Sequence, residues 1–125
     1  MKNKKDFNVI IAGSRTFNNY KLLEDKVNNI LKNKKETDNI VIISGNANGA
    51  DKLGESYANK NHYNLVIKPA EWKIYGKKAG YIRNIEMANI ANALIAFWDG
   101  KSKGTQHMIN IAKEKNLLTR IIIYK

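Results

Sequence analysis

The segment Ala93–Lys113, ALIAFWDGKSKGTQHMINIAK, decides the fold prediction. It begins with the apolar run ALIAFW, which is typical of a buried strand. A polar loop with two glycines follows, and apolar residues then return at helical spacing at Met108, Ile109 and Ala112. This order predicts a strand, a loop and a helix whose amino terminus faces the carboxyl end of the strand. Proteins often bind anions at such a junction.

The letters GKS at Gly100 to Ser102 look like the end of a P-loop. That motif needs another glycine five positions before Gly100, and this chain has Ile95 there. The loop is therefore not a P-loop.

Composition predicts one domain over residues 1–125, with a flexible basic lead at residues 1–6. The absence of cysteine is typical of a reducing compartment and excludes disulfides and thiolate metal sites. His62 and His107 stand apart, so the sequence predicts no metal site and no cofactor. No run of 18 apolar residues or signal-peptide pattern is present, which predicts a cytoplasmic protein without a membrane partner.

A net charge of +11 favours anionic partners. The alternative is that lysine and asparagine are simply abundant in this chain. Only three of the 22 basic residues are arginine, the residue that sequence-specific DNA readers use most. Nucleic acid is therefore a less favoured partner than a small anionic molecule.

Apolar runs and helical periodicity alternate along the whole chain. The predicted strands are Phe7–Ala12, Ile40–Ser44, Asn64–Lys68, Ala93–Trp98 and Arg120–Tyr124. Helices are predicted over Tyr20–Lys34, from Ala50, over Tyr81–Ile90 and after Thr105, with a long loop over Ala70–Gly80. This alternation predicts an α/β protein, a Rossmann-like three-layer αβα sandwich whose parallel sheet has the order 3-2-1-4-5. The loops after strands 1 and 4 then flank the ligand crevice.

Two motifs follow the first two strands. Gly13-Ser14-Arg15 combines a hydroxyl and a guanidinium, which suit a phosphate or carboxylate, although a tight turn with an exposed arginine explains it equally well. The motif GNANGAD from Gly45 to Asp51 lets a ligand approach the backbone closely. Asp51 is either a partner for ribose hydroxyls or a helix cap.

Two further groups precede the segment Ala93–Lys113. Arg83 and Asn84 lie near the start of the third predicted helix, where Arg83 either faces the crevice or pairs with Glu86 at the surface. Trp72 and Tyr75 lie in the long loop and either stack on a base or cover the sheet edge.

Four motifs in order, IAGSRTF, SGNANGAD, the stretch from Ala70 to Met87 and WDGKSKGT, resemble the SLOG superfamily. This superfamily groups the LOG-type cytokinin-activating phosphoribohydrolases with the Rossmann-like part of DprA. The small single-domain YspA-like group of bacteria and phages is the most similar. The resemblance covers about Val9 to Tyr124 and implies a Rossmann-like fold that binds nucleotides or their derivatives.

One departure from the LOG pattern bears on activity. LOG enzymes pair an arginine, matched here by Arg83, with a glutamate three residues after a Gly-Thr pair. Gly104-Thr105 matches that pair, but the glutamate position is Met108. Methionine can neither activate water nor stabilise an oxocarbenium-like sugar. The pattern therefore favours a binding protein over an enzyme, with Arg83, Asp99 and Glu86 as the remaining catalytic candidates.

The leading hypothesis is a protein that senses or sequesters a phosphate-bearing nucleotide ligand, such as an ADP-ribose-type or cyclic nucleotide. The alternatives are a nucleotide N-glycosidase with a displaced catalytic acid and a DprA-like binder of single-stranded DNA. The SLOG resemblance also implies a homo-oligomer. The predicted ligand-binding residues are Gly13, Ser14, Arg15, Gly45, Asn46, Ala47, Gly49, Asp51, Trp72, Arg83, Asn84, Asp99, Gly100, Ser102, Gly104 and Thr105.

Overall fold

The fold is given by a computed structural model, which describes residues 4–124. Strands and helices alternate through this part of the chain, and their bounds are as follows. The strands are β1 Asp6–Gly13, β2 Asn39–Ser44, β3 Asn64–Ile67, β4 Ala93–Trp98 and β5 Leu118–Ile123. The helices are α1 Tyr20–Leu31, α2 Lys34–Thr37, α3 Ala50–Lys60, α4 Trp72–Tyr75, α5 Ala79–Ile90 and α6 Lys103–Glu114, and a 3₁₀ turn over Gly76–Lys78 joins α4 to α5.

The five strands form one parallel sheet in the order β3-β2-β1-β4-β5, which confirms the predicted topology. β1 is central: Ile10 pairs with Ile43 of β2 on one side and with Leu94 of β4 on the other. All five strands run in the same direction, so their carboxyl ends lie along one edge of the sheet. The connections change direction between β1 and β4, which leaves a crevice at that edge.

The core has one layer on each face of the sheet, because successive strand residues point to opposite faces. Val9 and Ile11 of β1 are buried on the α1 and α3 side, in one cluster with Leu23, Val27 and Tyr57. On the other face, the buried cluster contains Ile10, Ala12, Met87, Met108 and Ile109. Burial on both faces explains why the central strands contain continuous apolar runs, Val9–Ala12 in β1 and Ile40–Ile43 in β2.

Several elements differ in detail from their predicted bounds. The first helix ends at Leu31, and the separate turn α2 follows it. The predicted long loop contains α4, whose single turn is too short to show helical periodicity. β1 begins at Asp6, inside the predicted basic lead, and the Asn39 N–H donates to the Lys5 carbonyl. Residues 1–3 of that lead lie outside the described residues.

The inward face of α5 also differs from the prediction. Periodicity predicts that Ile82, Ile85 and Ala88 face the core, but Ile85 is exposed, and Asn84 and Met87 are buried beside Ala88. The buried face of α5 therefore includes Asn84, and the hydrogen bonds of its side chain to Arg83 and Gly104 compensate for its burial. Within residues 4–124, no helix is long and apolar enough to cross a membrane.

Candidate functional site

Two adjoining clefts lie at the carboxyl edge of the sheet, where β1 and β4 diverge. The inner cleft, of about 290 Å³, lies between the loops after β1 and β4, and Met108 and Thr105 line it. The outer cleft, of about 310 Å³, lies over the loop after β2 and reaches Trp72. Arg15, Ala47 and Arg83 line both clefts. A ligand that spans the clefts would therefore contact both arginines.

Most of the predicted ligand-binding residues line one of these clefts. The inner cleft is lined by Gly13, Ser14, Arg15, Ala47, Asp51, Arg83, Asn84, Asp99, Ser102, Gly104 and Thr105. The outer cleft is lined by Gly45, Asn46 and Trp72, together with the shared residues. Gly49 and Gly100 line neither, and Glu86, a catalytic candidate, is exposed on α5 outside both.

The loop after β4 is held closed by Asp99. Its Oδ1 accepts the backbone N–H groups of Lys101 and Ser102, each at 2.8 Å. Its Oδ2 lies 3.0 Å from the Ser102 Oγ. The Lys101 N–H, and then that of Ser102, lower the pKa of Asp99 to about 2. The carboxylate thus stabilises the conformation of the loop, and both of its oxygens already have hydrogen-bond partners within it.

Ser14 joins this loop to β1. The Ser14 side chain is buried, and its Oγ accepts the Asp99 N–H at 3.1 Å and lies 3.0 Å from the Ser102 Oγ. The Ser14 N–H donates to the Phe97 carbonyl at 3.0 Å. A Cβ at Gly13 would overlap that same carbonyl, so only glycine allows β1 and β4 to approach this closely before they diverge.

The amino terminus of α6 opens into the inner cleft. The helix begins at Lys103 after Ser102, and no side chain caps its first turn. Gly104 and Thr105 of this turn line the cleft. Backbone N–H groups in an uncapped first turn carry the positive end of the helix dipole and donate to anions. The cleft therefore has a backbone donor site for an anion.

Arg83 is held in place between α5 and the loop after β2. Its Nη1 donates to the Gly45 carbonyl at 2.6 Å and its Nε to the Asn84 Oδ1 at 2.9 Å. Burial lowers the pKa of Arg83, whereas the Asp51 charge opposes that effect. A Cβ at Gly45 would lie 2.5 Å from the Nη1, so glycine makes room for the guanidinium. Arg83 thus faces the clefts and does not pair with Glu86.

Arg15 is exposed at the junction of the clefts. Its side chain has no hydrogen bond or ion pair with another residue in the range 4–124. A guanidinium that lines both clefts without a protein partner can bind a phosphate or carboxylate with two parallel hydrogen bonds.

Asp51 is a buried acid on the wall of the inner cleft. Its Oδ2 accepts the Ala47 N–H at 3.2 Å, which closes the loop before α3. The N-cap of that helix is Gly49, so Asp51 is not the capping residue. Burial raises the pKa of Asp51 to about 6, against the opposing effects of the Ala47 N–H and the Arg83 charge. The carboxyl group therefore titrates within reach of physiological pH.

Asn84 connects Arg83 to α6. Its Nδ2 donates to the Gly104 carbonyl and lies close to the His107 Nδ1, both at 3.2 Å, while its Oδ1 accepts from Arg83. With Asn84 as the donor, the His107 Nδ1 is an acceptor and the ring proton is on Nε2. The buried amide thus uses all its hydrogen-bonding groups and fixes the position of the guanidinium relative to the anion site.

Sequence reasoning missed three polar residues behind the clefts. His107 is half-buried, contacts Asn84 and lies against Tyr81 with 4.3 Å between the ring centroids. Ser44 donates to Glu55 at 2.7 Å and accepts the Asn46 N–H at 3.0 Å. The position of Glu55, four residues after Asp51 on α3, was a signal that it shares a helix face with the predicted site.

The floor of the inner cleft is apolar. Met87, Met108 and Ala12 line it and are buried in the core cluster of the α5 and α6 face. Met108 is therefore a core residue and a wall of the cleft at the same time. Among residues 4–124, no group of three or more His, Cys, Asp or Glu side chains is arranged to hold a metal ion.

The chain matches a known protein family and a phage protein. The model of the YspA, cpYpsA-related SLOG family matches residues 7–75, from β1 to α4. The chain is also 31% identical over 115 residues to the Gene 61 protein of Mycobacterium phage D29. This alignment covers 87% of this chain and 90% of that protein. The second match extends past the family match and includes most of the inner-cleft residues of α5 and α6.

Proposed function

We propose, from the premise that the chain belongs to the YspA, cpYpsA-related SLOG family, that its clefts bind a phosphate-bearing nucleotide derivative. The single observation that supports this most is that an uncapped α6 amino terminus and the Arg15 guanidinium, which has no partner within residues 4–124, line one cleft. Backbone N–H groups at a helix start and an arginine fork are complementary to phosphate oxygens.

The two clefts suit different parts of such a ligand. In our proposal, the phosphate lies at the start of α6, within reach of Arg15. The base lies in the outer cleft against Trp72, because an exposed indole offers a flat apolar face. The sugar lies between them, where Asp51 and Arg83 can exchange hydrogen bonds with hydroxyl groups. Cleft volumes of about 290 and 310 Å³ are at the lower end of the range for ligand pockets.

We propose binding without turnover, as in a protein that senses or sequesters its ligand. Of the three catalytic candidates, Glu86 lies outside both clefts, Asp99 is engaged by loop N–H groups, and Arg83 is held by Gly45 and Asn84. At the LOG glutamate position, Met108 offers no acid–base group.

The proposal predicts that Arg15→Ala weakens nucleotide binding by about 10- to 150-fold, because a charge-assisted hydrogen bond to phosphate contributes about 1.5–3 kcal/mol. The ligand is first identified by mass spectrometry of small molecules released from the purified protein by heat. Titration calorimetry with that ligand then measures the affinity. Arg120→Ala is the matched control, because Arg120 is an exposed arginine on β5 outside both clefts.

Equal affinity of Arg15→Ala and the wild type would contradict the proposed phosphate position. If no nucleotide from a broad panel binds the folded protein and none is released by heat, the proposed function is wrong. Both variants are expected to unfold at the wild-type temperature, because neither side chain is buried.

A second candidate function, cleavage of a nucleotide N-glycosidic bond, is favoured by Asp51. Its carboxyl group lines the inner cleft and its pKa of about 6 is close to the value that suits general acid–base catalysis near neutral pH. The same nucleotide panel separates the two functions. A binding protein returns the nucleotide intact, whereas an enzyme releases free base and loses that activity in Asp51→Asn.

A further inference from the structure

An exposed surface beside the clefts combines aromatic and basic side chains. It consists of Trp72, Lys73, Ile74, Tyr75, Lys77 and Lys78, from α4 and the following 3₁₀ turn, and is called here the α4 surface. Trp72 is 50% exposed and Tyr75 43% exposed, although aromatic side chains of this size are usually more buried. These aromatic rings therefore form an apolar surface that solvent reaches.

Trp72 and Tyr75 are three residues apart on the single turn of α4, and solvent reaches both side chains. A base has an apolar π-face, and successive unpaired bases stack on neighbouring aromatic rings. A base pair within a duplex hides these faces, so the rings suit a single strand and not a double helix.

The lysines of the α4 surface are available to bind phosphate groups. Lys73, Lys77 and Lys78 are exposed, and none forms an ion pair with an acidic residue in the range 4–124. The chain has a net charge of +11, so it attracts polyanions as a whole.

We propose that the α4 surface binds single-stranded nucleic acid without sequence preference. In this arrangement, two adjacent bases stack on Trp72 and Tyr75, and the backbone phosphates lie against Lys73, Lys77 and Lys78. A lipid surface fits less well, because α4 is a single turn of four residues, much shorter than the amphipathic helices that lie in membrane interfaces. The basic groups of the surface are lysines, which suit backbone contacts and not base-specific readout.

The test measures fluorescence anisotropy of labelled oligo(dT) and oligo(U) of about 20 nucleotides. Tyr75→Ala is expected to weaken binding by about 5- to 150-fold through the loss of one stacked base. The triple variant Lys73→Gln, Lys77→Gln, Lys78→Gln should reduce the slope of log K against log salt by about 2, because each phosphate contact on a single strand contributes about 0.7.

The matched control is the triple variant Lys26→Gln, Lys32→Gln, Lys35→Gln, which removes the same charge from exposed positions on α1 and the segment after it. This control is expected to keep most of the wild-type affinity. If the two triple variants lost the same amount of affinity, the binding would be explained by general charge attraction, and the proposal would be overturned. No binding of either oligonucleotide at low salt, or tighter binding to vesicles of anionic lipid than to the oligonucleotides, would also overturn it.

This proposal shares Trp72 with the nucleotide proposal, so the tests change residues that belong to only one of the two. Tyr75 and the three lysines line neither cleft, so their variants should bind the released nucleotide as the wild type does. Arg15→Ala tests the cleft without changing the α4 surface.

Discussion

Burial of the Asp51 carboxyl group lowers the stability of the fold. Its carboxyl group is almost fully buried in the wall of the inner cleft, next to Glu55 on the same helix. One backbone N–H and a nearby guanidinium do not fully replace the lost hydration, so the pKa is raised to about 6. A buried acid that lowers stability is more easily explained by a function in the cleft than by folding.

Asp51 predicts a pH-dependent stability with a definite sign. The unfolded carboxyl loses its proton near its ordinary pKa of 3.8 and the folded one near about 6. Between these values the folded state binds more protons, so the free energy of unfolding falls as pH rises and then levels off. The whole effect is up to about 3 kcal/mol. Asp51→Asn should remove this fall and be more stable than the wild type at neutral pH.

Urea unfolding from about pH 4 to about pH 7 measures this difference. The gain in stability of Asp51→Asn over the wild type should grow through this range and then stay constant. Asp25→Asn, at an exposed position on α1, controls for the removal of a negative charge. A difference between Asp51→Asn and the wild type that does not change with pH would show that the carboxyl group is not destabilising when charged.

Arg83 has a structural role as well as a place in the proposed site. It donates to the Gly45 carbonyl, and its charge is close to Asp51, so truncation to alanine leaves a buried carboxylate without its nearest cation. Loss of ligand binding in Arg83→Ala would therefore combine two causes. Arg15, which has no partner among the described residues, separates the ligand contact from the fold.

At the scale of elements, the start of α3 must pass close to the loop after β1. Gly49 has φ of 82° and precedes the helix, and a Cβ there would overlap the carbonyls of Ser14 and Arg15. The Ala50 N–H donates to the same Ser14 carbonyl at 3.3 Å. Gly49 therefore shapes the clefts without lining either, by letting α3 meet the Ser14 and Arg15 backbone.

Two glycine substitutions should have opposite effects on stability. In Gly49→Ala, the new methyl group would overlap two carbonyls and the residue would keep a positive φ. We expect the free energy of unfolding to fall by about 1–3 kcal/mol. Gly104→Ala places its Cβ in open space in the first turn of α6, and we expect a gain of up to about 1 kcal/mol from helix propensity.

Thermal and urea unfolding of both variants measure these changes. The Gly104→Ala variant is the control for adding one methyl group to the same edge of the sheet. A Gly49→Ala variant as stable as the wild type would mean that the loop before α3 can move away from Ser14.

Sequence patterns predicted the elements that form the sheet, because the buried central strands contain continuous apolar runs and parallel strands need crossover helices. They failed where local periodicity carries no signal. The turn α4 is only four residues long, and the buried face of α5 includes the polar residue Asn84, whose amide forms hydrogen bonds with Arg83 and Gly104. A polar residue on an inward face cannot be recognised until its partners are known.

The same limit applies to the candidate site. The motifs predicted which loops meet, since the fold brings the carboxyl ends of β1 and β4 together. They did not predict that Asp99 would brace its own loop or that its N–H would bond to Ser14, 85 positions earlier in the chain. Such a contact depends on tertiary structure, so Asp99 looked like a free carboxylate in the sequence.

At the scale of the whole molecule, positive charge is spread widely and rarely neutralised. Within the range 4–124, four ion pairs involve Lys21, Lys34, Lys52 and Lys60, and at least one member of each pair is well exposed. Such pairs contribute little to stability. The excess of +11 therefore acts mainly on partners: it attracts polyanions and repels a second copy of the chain.

The family resemblance predicts a homo-oligomer, and β5 offers an edge for one. This outer strand exposes Leu118, Ile121 and Ile123 and has Arg120 as its one charged residue, so little prevents a second strand from pairing with it. Because two copies of charge +11 repel each other, the dimer should tighten as salt rises from about 0.02 to about 0.3 M, whereas nucleic-acid binding should weaken.

Light scattering across this salt range measures the mass, which should approach twice 14.2 kDa at higher salt and micromolar protein. Ile123→Lys should remain monomeric, because Ile123 is 59% exposed on β5 and a lysine there blocks edge pairing. Ile74→Lys, at a 67% exposed isoleucine on α4, adds the same charge away from β5 and should still dimerise. A wild-type mass of 14.2 kDa at every salt concentration would exclude the homo-oligomer, and equal loss in both variants would move the interface away from β5.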